Sequence, residues 1–417
     1  MRLIGVHRLH HRKGGAEGVH LDHLTLFKDR GWTCAEFAMD HPDNEPSPWS
    51  RYFPERFDPP TGLLGVSALP RFFHSSEAQE KFARLISDFK PDVIHAHGIY
   101  HHLTNAILKP ALAAGVPIVY TLHDYKLLCP AYHLYTEKAG VCERCKGGRQ
   151  WRCLTNRCTH GSLAMDAVYA LDGYMQWRSG MLRNAVSRFV GPCRFIVEKF
   201  AEFGFDTSKL RYVPNFFESA DDAPTDPAVV ARLRQEIGPH FLYFGRLSPE
   251  KGLDVLIDAA ALAGASLVIV GDGPERNKLE SLTKARGVSC TFKGHLKGVA
   301  LWAQVEAADA VVLPSVWYEI APKSILEAQA RGKAVLTTRI GGLPELVTDG
   351  VTGLIAAPGD RLSLAECIRR FVAMSAPERA ALGVRARTHV RTAFTRDRYY
   401  REMTAIYQEL LGGRVAA

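Results

Sequence analysis

The chain has 417 residues, of which 47% are hydrophobic and 23% charged, with a formal net charge of +8. That length exceeds the ~250–300 residues at which a single core stops growing, so two or more domains are expected. No apolar run approaches the ~18 residues that span a bilayer, and no basic run with interleaved aromatics marks a nucleic-acid surface. The modest positive charge suits phosphate-bearing substrates or an anionic lipid surface. MRLIGVHRLHHRKGG has too short an apolar core for a signal peptide and reads as a first strand, so a cytoplasmic location is expected.

RLIGVH leads into Lys13-Gly14-Gly15-Ala16-Glu17 and a helix with Leu21, Leu24 and Phe27 on one side, stopped by Gly31. Thr33 to Met39 follows as a strand. Residues 41–74 are Pro-rich and interrupted, which predicts a long functional loop rather than a core element. Ser76 and Gln79 suggest a capping box before a helix carrying Phe82, Leu85, Ile86 and Phe89. DVIHAHG and PIVYTLHD are the next strands, followed by a cysteine-rich insertion. A helical region is expected from about Ser162 to Ser187. Its Met165, Tyr169, Tyr174, Met175, Trp177 and Met181 favour core packing over a lipid-facing surface. RFVGPC, RFIVEKFAEFGF and LRYVPNF close this half, and the acidic DDAPTDP near 221–227 reads as a linker.

The same grammar then restarts with FLYFGRLSPEKG, LDVLIDAAALAG, SLVIVGDGP, CTFKGHL, ALWAQVEAA and AVVLPS. A last helix places Tyr399, Met403, Ile406, Tyr407 and Leu410 at helical spacing. Alternating strands and helices, twice over, predict two doubly wound α/β domains with mainly parallel sheets. Ligands in such sheets bind beyond the carboxyl ends of the strands, so a cleft between two facing domains is the expected site.

The stretch PSVWYEIAPKSILEAQARG, Pro314 to Gly332, reads as a strand end, a turn and a helix entered through Pro322 at the first helical position. Glu319 precedes that helix and Glu327 lies inside it. A helix N-terminus suits a phosphate, and carboxylates there can accept hydrogen bonds from sugar hydroxyls; the plainer reading is a cap and a surface charge. Gly14 and Gly15 open the first helix, where close backbone approach would admit a phosphate, but the dinucleotide spacing is missing. In GRLSPEKG, Arg246 and Lys251 place two cations around one strand-to-helix turn, fit to neutralise a leaving diphosphate. Asp272 and Gly273 form another strand-end turn. His123 ends the strand PIVYTLHD, with Asp124 beside it as a weaker acceptor-orienting candidate.

These pieces, in this order, resemble the glycosyl transferases group 1 family of retaining glycosyltransferases. The likeness is closest to bacterial members with HDYKLLCP, a cysteine cluster and WYE-x-AP. The resemblance implies a GT-B fold, with residues 1–215 and a returning helix 396–417 forming an acceptor-side Rossmann-like domain and residues 216–395 forming the nucleotide-sugar domain. It implies transfer of a hexose, with retention, from a UDP- or GDP-linked sugar to a glycan, lipid-linked or small-molecule acceptor in bacterial polysaccharide or glycoconjugate synthesis. Arg246, Lys251, Glu319 and His123 then carry the chemistry. Gly14, Gly15, Asp272, Gly273, Ile320, Ala321, Pro322 and Glu327 bind the donor, with no metal required for catalysis. Many relatives have Gly or Asn where this chain has Ile320. A sugar-nucleotide epimerase or a non-catalytic sugar-nucleotide-binding protein of the same fold is the alternative. Peripheral contact with the inner face of the plasma membrane is compatible with a lipid-linked acceptor, and no nucleic-acid partner is expected.

The cysteines are unevenly placed: Cys142, Cys145, Cys153 and Cys158 follow a Cys-x2-Cys-x7-Cys-x4-Cys pattern. That spacing is compatible with a structural zinc, with Cys129 able to replace one ligand, or with free thiols in an irregular loop. Histidines cluster at His7, His10, His11 and at His95, His97, His101, His102 without recognisable metal spacing, and are expected as surface or satisfied core residues.

Overall fold

The computed structural model describes residues 1–58, 69–159, 162–217 and 224–412. Residues 221–223 of the acidic linker 221–227, and residues 59–68 of the expected loop, lie outside the described residues. The chain forms two compact units, one of 1–134, 143–215 and 397–417, the other of 135–142 and 216–396. Residues 135–142, a two-strand hairpin pairing Tyr135 with Val141, thus group with the second unit. This departs from the expected unbroken 1–215.

The first unit holds six parallel strands: β1 (Arg2–His7), β2 (Thr33–Phe37), β3 (Val93–Gly98), β4 (Ile118–Thr121), β5 (Arg188–Gly191) and β6 (Leu210–Tyr212), in the order β2-β1-β3-β4-β5-β6. β1 and β3 are buried almost throughout, with only Arg2 exposed, as expected of strands covered by helices on both faces. Helix α1 (Gly15–Asp29) follows β1 and packs Val19, Leu24, Leu26 and Phe27 inward. Helix α3 (Ser76–Phe89) buries the expected Phe82, Leu85, Ile86 and Phe89. Its cap is Ser75, whose hydroxyl accepts from the Ala78 N–H, one residue earlier than the expected Ser76–Gln79 box.

Two expectations fail in this unit. The Pro-rich stretch 41–74 contributes to the core: Tyr52, Phe53, Phe57 and Phe72 are buried, the last on a short helix α2 (Leu69–Phe73). Aromatic area outweighed the local proline and polar content. Conversely, helix α5 (Leu163–Ser179) leaves Leu163, Leu171, Tyr174, Met175 and Trp177 exposed, so core packing explains only the half-buried Met165, Tyr169 and Met181 of that stretch, with Tyr169 packed on Phe72 and His101.

The last helix, α8 (Arg396–Leu410), completes the first unit by burying Tyr399, Met403, Ile406 and Tyr407. Several polar groups tie it to the rest of the unit. The Trp32 indole N–H donates to Tyr400, and Arg188 and Arg211 both pair with Glu409.

The second unit repeats the architecture with β7 (Phe241–Phe244), β8 (Leu267–Val270), β9 (Cys290–Gly294), β10 (Ala310–Leu313), β11 (Val335–Thr338) and β12 (Gly353–Ala356). All are parallel, in the order β9-β8-β7-β10-β11-β12. This is the doubly wound Rossmann order, which reverses between β7 and β10. Those two strands pair through Phe241 with Ala310 and Leu242 with Val311, so the crevice beyond their carboxyl ends is where a ligand is expected.

Candidate active site

In the second unit the switch point gathers the predicted residues from distant parts of the chain. After β7 the chain passes Arg246 and turns through Pro249–Lys251. After β10 it runs through Ser315 and Trp317 to Glu319. Lys251 Nζ lies 2.7 Å from Glu319 Oε1, and the Ser315 hydroxyl donates to the same oxygen at 2.7 Å. Lys251 also sits 5.2 Å from the centroid of the Trp317 ring, a cation–π arrangement. Glu319 is only 4% exposed. Burial alone would raise its pKa, but the Lys251 charge and hydrogen bonds from Lys251 and Ser315 outweigh it and hold the carboxylate below its ordinary range.

Glycines lock this arrangement where no side chain fits. Gly252 has φ +66°, and a Cβ there would meet the Pro314 carbonyl at 2.4 Å. Gly341 has φ +58°, and its Cβ would meet the Glu319 carbonyl at 2.3 Å. The loops carrying Lys251 and Glu319 are therefore held by backbone contact as well as by the ion pair.

Arg246 is exposed, and its carbonyl accepts the Tyr243 hydroxyl at 2.7 Å. Asp272 is exposed too; its carbonyl accepts the Leu247 N–H at 3.0 Å and its Oδ1 the Gly273 N–H at 2.8 Å. The Asp272–Gly273 turn thus lies against the Arg246–Leu247 turn. Pro322 caps the helix α7 (Lys323–Ala330) rather than occupying its first turn. Ile320 is buried, while Ala321 and Pro322 are half-buried. Glu327, half-buried in α7, has its pKa raised by burial, with Lys323 offsetting part of the shift.

In the first unit, Gly14 caps α1, and Gly15 is exposed with nothing within 4 Å of a Cβ placed there. This open helix end has room for a ligand group beside its free N–H donors. His123 follows β4, its Nε2 2.8 Å from His97 Nδ1, with the two rings nearly coplanar at 14°. His97 is fully buried and lies 4.4 Å from His95. His95 in turn contacts the Tyr407 hydroxyl at 2.6 Å and Thr121 at 2.7 Å. Burial pushes the pKa values of His95 and His97 well down and that of His23 to about 3, so these imidazoles are neutral. Asp124 accepts from the Tyr100 hydroxyl at 2.6 Å and from the Lys126 N–H; burial nevertheless raises its pKa. Several histidines are not the satisfied core residues expected. His10, His20, His97, His101 and His102 each keep a buried ring nitrogen without a hydrogen-bond partner among the described residues.

The cysteines divide between the units. Cys142 falls in the second, and Cys145, Cys153, Cys158 and Cys129 in the first. Cys153 and Cys158 share a thiol hydrogen bond that lowers the Cys158 pKa. Among the described residues, the one group whose ligand atoms all lie within 4.8 Å of one another is His11, His41 and Asp43, which the sequence reading did not single out. Ser315, four residues before Glu319 in the quoted motif, was not singled out, nor was His97 apart from its histidine cluster, although its position one residue before the end of a strand parallel to that of His123 was the available signal.

Residues 231–389 match the family Glycosyl transferases group 1, and residues 14–215 match the Glycosyl transferase 4-like domain. Residues 231–389 thus carry a domain of the glycosyl transferases group 1 family, and residues 14–215 a glycosyl transferase 4-like domain. The chain is similar to the 2-deoxystreptamine glucosyltransferase of Streptomyces kanamyceticus, 33% identical over 195 residues that cover 44% of this chain and 50% of that one. It is also similar to the GDP-mannose-dependent alpha-mannosyltransferase of Mycolicibacterium smegmatis, 34% identical over 173 residues, 41% and 44% of the two chains. The chain spans about half the length, or less, of these curated relatives. Among solved structures, Anabaena Alr3699/HepE in complex with UDP matches with a TM-score of 0.70 at 19% identity over 98% of this chain and 100% of that one. The fold is GT-B.

The two carboxylates beside the switch point should influence acid stability with opposite signs. Glu319, lowered in the fold, stabilises above its unfolded pKa, and that contribution is lost as pH falls through the ordinary carboxylate range and below. Glu327, raised in the fold, does the reverse and favours the native state as pH falls. Urea unfolding followed between about pH 4 and 7 should show a flatter acid limb in Glu319→Gln and a steeper one in Glu327→Gln.

Proposed function

We propose that this chain moves a hexose, with retention, from a UDP- or GDP-linked sugar to a hydroxyl of a glycan, lipid-linked or small-molecule acceptor in bacterial polysaccharide or glycoconjugate synthesis. The observation that carries the reading is the Lys251–Glu319 pair at the switch point between β7 and β10, with Arg246 exposed after the same strand. As the glycosidic bond breaks, negative charge grows on the departing diphosphate. Arg246 and Lys251 would neutralise it, Glu319 would hold sugar hydroxyls, and Glu327 would hold the ribose, so no catalytic metal enters the reading. The UDP named in the matched Anabaena structure and the GDP-mannose named in the mannosyltransferase relative set the donor choices to test.

Incubating the protein with UDP-, GDP- and ADP-linked hexoses should release the free nucleotide from one of them. Lys251→Ala and Arg246→Ala should each lower the rate by about 10²–10³, the usual loss when one preorganised donor to a developing anion is removed. Glu327→Ala should mainly raise KM, since a ribose contact is made equally in the ground and transition states. Binding of a nucleotide sugar without turnover would move the assignment to the non-catalytic binding protein.

Two further parts of the reading have their own tests. No described helix is long and apolar enough to cross a membrane, but α5 presents Leu171, Tyr174, Met175 and Arg178 on one exposed face. That face suits peripheral contact with an anionic membrane on the cytoplasmic side. Vesicles containing phosphatidylglycerol should co-sediment the protein at low salt, and Leu171→Ser with Tyr174→Ser should abolish this. A structural zinc is proposed on Cys129, Cys145, Cys153 and Cys158, which share one unit while Cys142 does not; their sulfurs would have to draw together to hold it, since no three of them lie within 4.8 Å of one another. Elemental analysis of untagged protein should find about one zinc per chain; metal-free protein with freely titrating thiols would remove that part.

A further inference from the structure

The first unit contains a cavity of about 190 Å³ bounded by α2, the short helix α4 (Tyr100–Leu103) and α5. It has room for several water molecules. It lies where ligands enter α/β sheets, since α4 follows β3 directly. Tyr100 lines it, and the Tyr100 hydroxyl donates to Asp124, the neighbour of His123 in the turn after β4.

Its polar wall is built from buried groups. His101 is 1% exposed, stacks on Phe72 at 3.7 Å, and has an Nε2 with no hydrogen-bond partner. That nitrogen lies 3.9 Å from Asp172 Oδ2, too far for a direct hydrogen bond. Asp172 is 5% exposed, is paired with Lys126 at 2.9 Å, and accepts from Gln176 at both oxygens. A backbone hydrogen bond with Phe72 engages the His101 ring, and burial holds the ring neutral, its pKa pushed far down. Because the Lys126 and Asp172 charges cancel, the buried His101–Asp172 part of the wall offers two acceptors 3.9 Å apart and no net charge, while the exposed Lys109 adds one cation to the lining. Phe73 and Met175 supply the apolar part of the lining.

At the His101–Asp172 wall a phosphate would meet a carboxylate with its countercharge already committed to Lys126. An acyl chain would bury His101 Nε2 against hydrocarbon with its hydrogen bond unmade, which costs ~1–3 kcal/mol. A neutral polyol satisfies both halves, giving hydroxyl protons to the two acceptors and its C–H face to the apolar side chains. We propose that this cavity is the subsite for a neutral sugar residue of the acceptor, with His101 Nε2 and Asp172 accepting its hydroxyls and Met175 closing over its apolar face. The proposal rests on the transferase reading for its role in the reaction, but not for its binding chemistry.

The test is binding of the full-length, fluorescently labelled protein to an immobilised array of neutral and charged glycans, with no donor present. The wild type should be retained by a subset of neutral glycans. Loss of one buried acceptor in His101→Leu should weaken that retention about tenfold, and His101→Gln, which restores an acceptor oxygen, should recover part of it. Met175→Trp, at a half-exposed position that leaves the core untouched, should block the cavity and abolish retention while the thermal unfolding midpoint stays unchanged. No glycan retained by the wild type, retention only by charged glycans, or full retention by Met175→Trp would each overturn the proposal. Because the array contains no nucleotide sugar, these outcomes are separable from donor turnover. Glycan binding can stand with donor hydrolysis absent, which would remove the transferase reading alone.

Discussion

A carboxylate taken out of water must be paired or neutralised, and in the second unit that requirement falls on Glu319. Its partners come from two places: Ser315 from the same loop, and Lys251 from a turn 68 residues earlier. The two loops become neighbours only because the sheet order reverses between β7 and β10. Removing one member of a buried ion pair leaves an uncompensated charge, typically costing ~3–5 kcal/mol. Lys251 therefore supports the local structure as well as the proposed chemistry, and the charge that would meet a diphosphate in that reading also keeps Glu319 ionised. The glycines at 252 and 341 serve the same constraint, since a Cβ at either would collide with the backbone next to the pair.

The first unit solves a different problem. Its β1, β3 and β4 neighbourhood is packed with imidazoles, which burial keeps neutral, so histidine here acts as a hydrogen-bonding aromatic rather than a charge. The His123–His97 contact continues by ring stacking to His95, which is hydrogen-bonded to Tyr407 of α8. The expected contact residue His123 is thus braced by residues that cannot swing away without opening the core, and the last helix belongs to that brace.

The periodicity of FLYF, LVIV and AVVL was enough to expect parallel, doubly buried strands, and Gly-rich strand ends marked the turns that hold Arg246, Lys251, Asp272 and Gly273. The Lys251–Glu319 pair was not legible as a pair, because nothing in a linear spacing of 68 residues says which strands adjoin. The aromatics of 41–58 misled for a related reason. Local composition reported prolines and charges, whereas Tyr52, Phe53 and Phe57 are buried by tertiary packing. In α5 the error ran the other way: Tyr174 and Met175 have core-like chemistry, and only the fold shows that their side of the helix is exposed. The cysteine spacing identified thiols near one another in sequence but could not show that Cys142 belongs to a different unit from the rest.

The central claim is that the switch-point pair serves transfer from an activated sugar with retained configuration. Proton NMR of the anomeric region, recorded while the protein consumes an α-linked UDP- or GDP-hexose, tests it most directly. The account predicts that the donor doublet decays as a new α-configured signal grows, and that Lys251→Met shows neither change. A β-configured first product would contradict retention, and consumption by Lys251→Met at the wild-type rate would contradict the role of the pair.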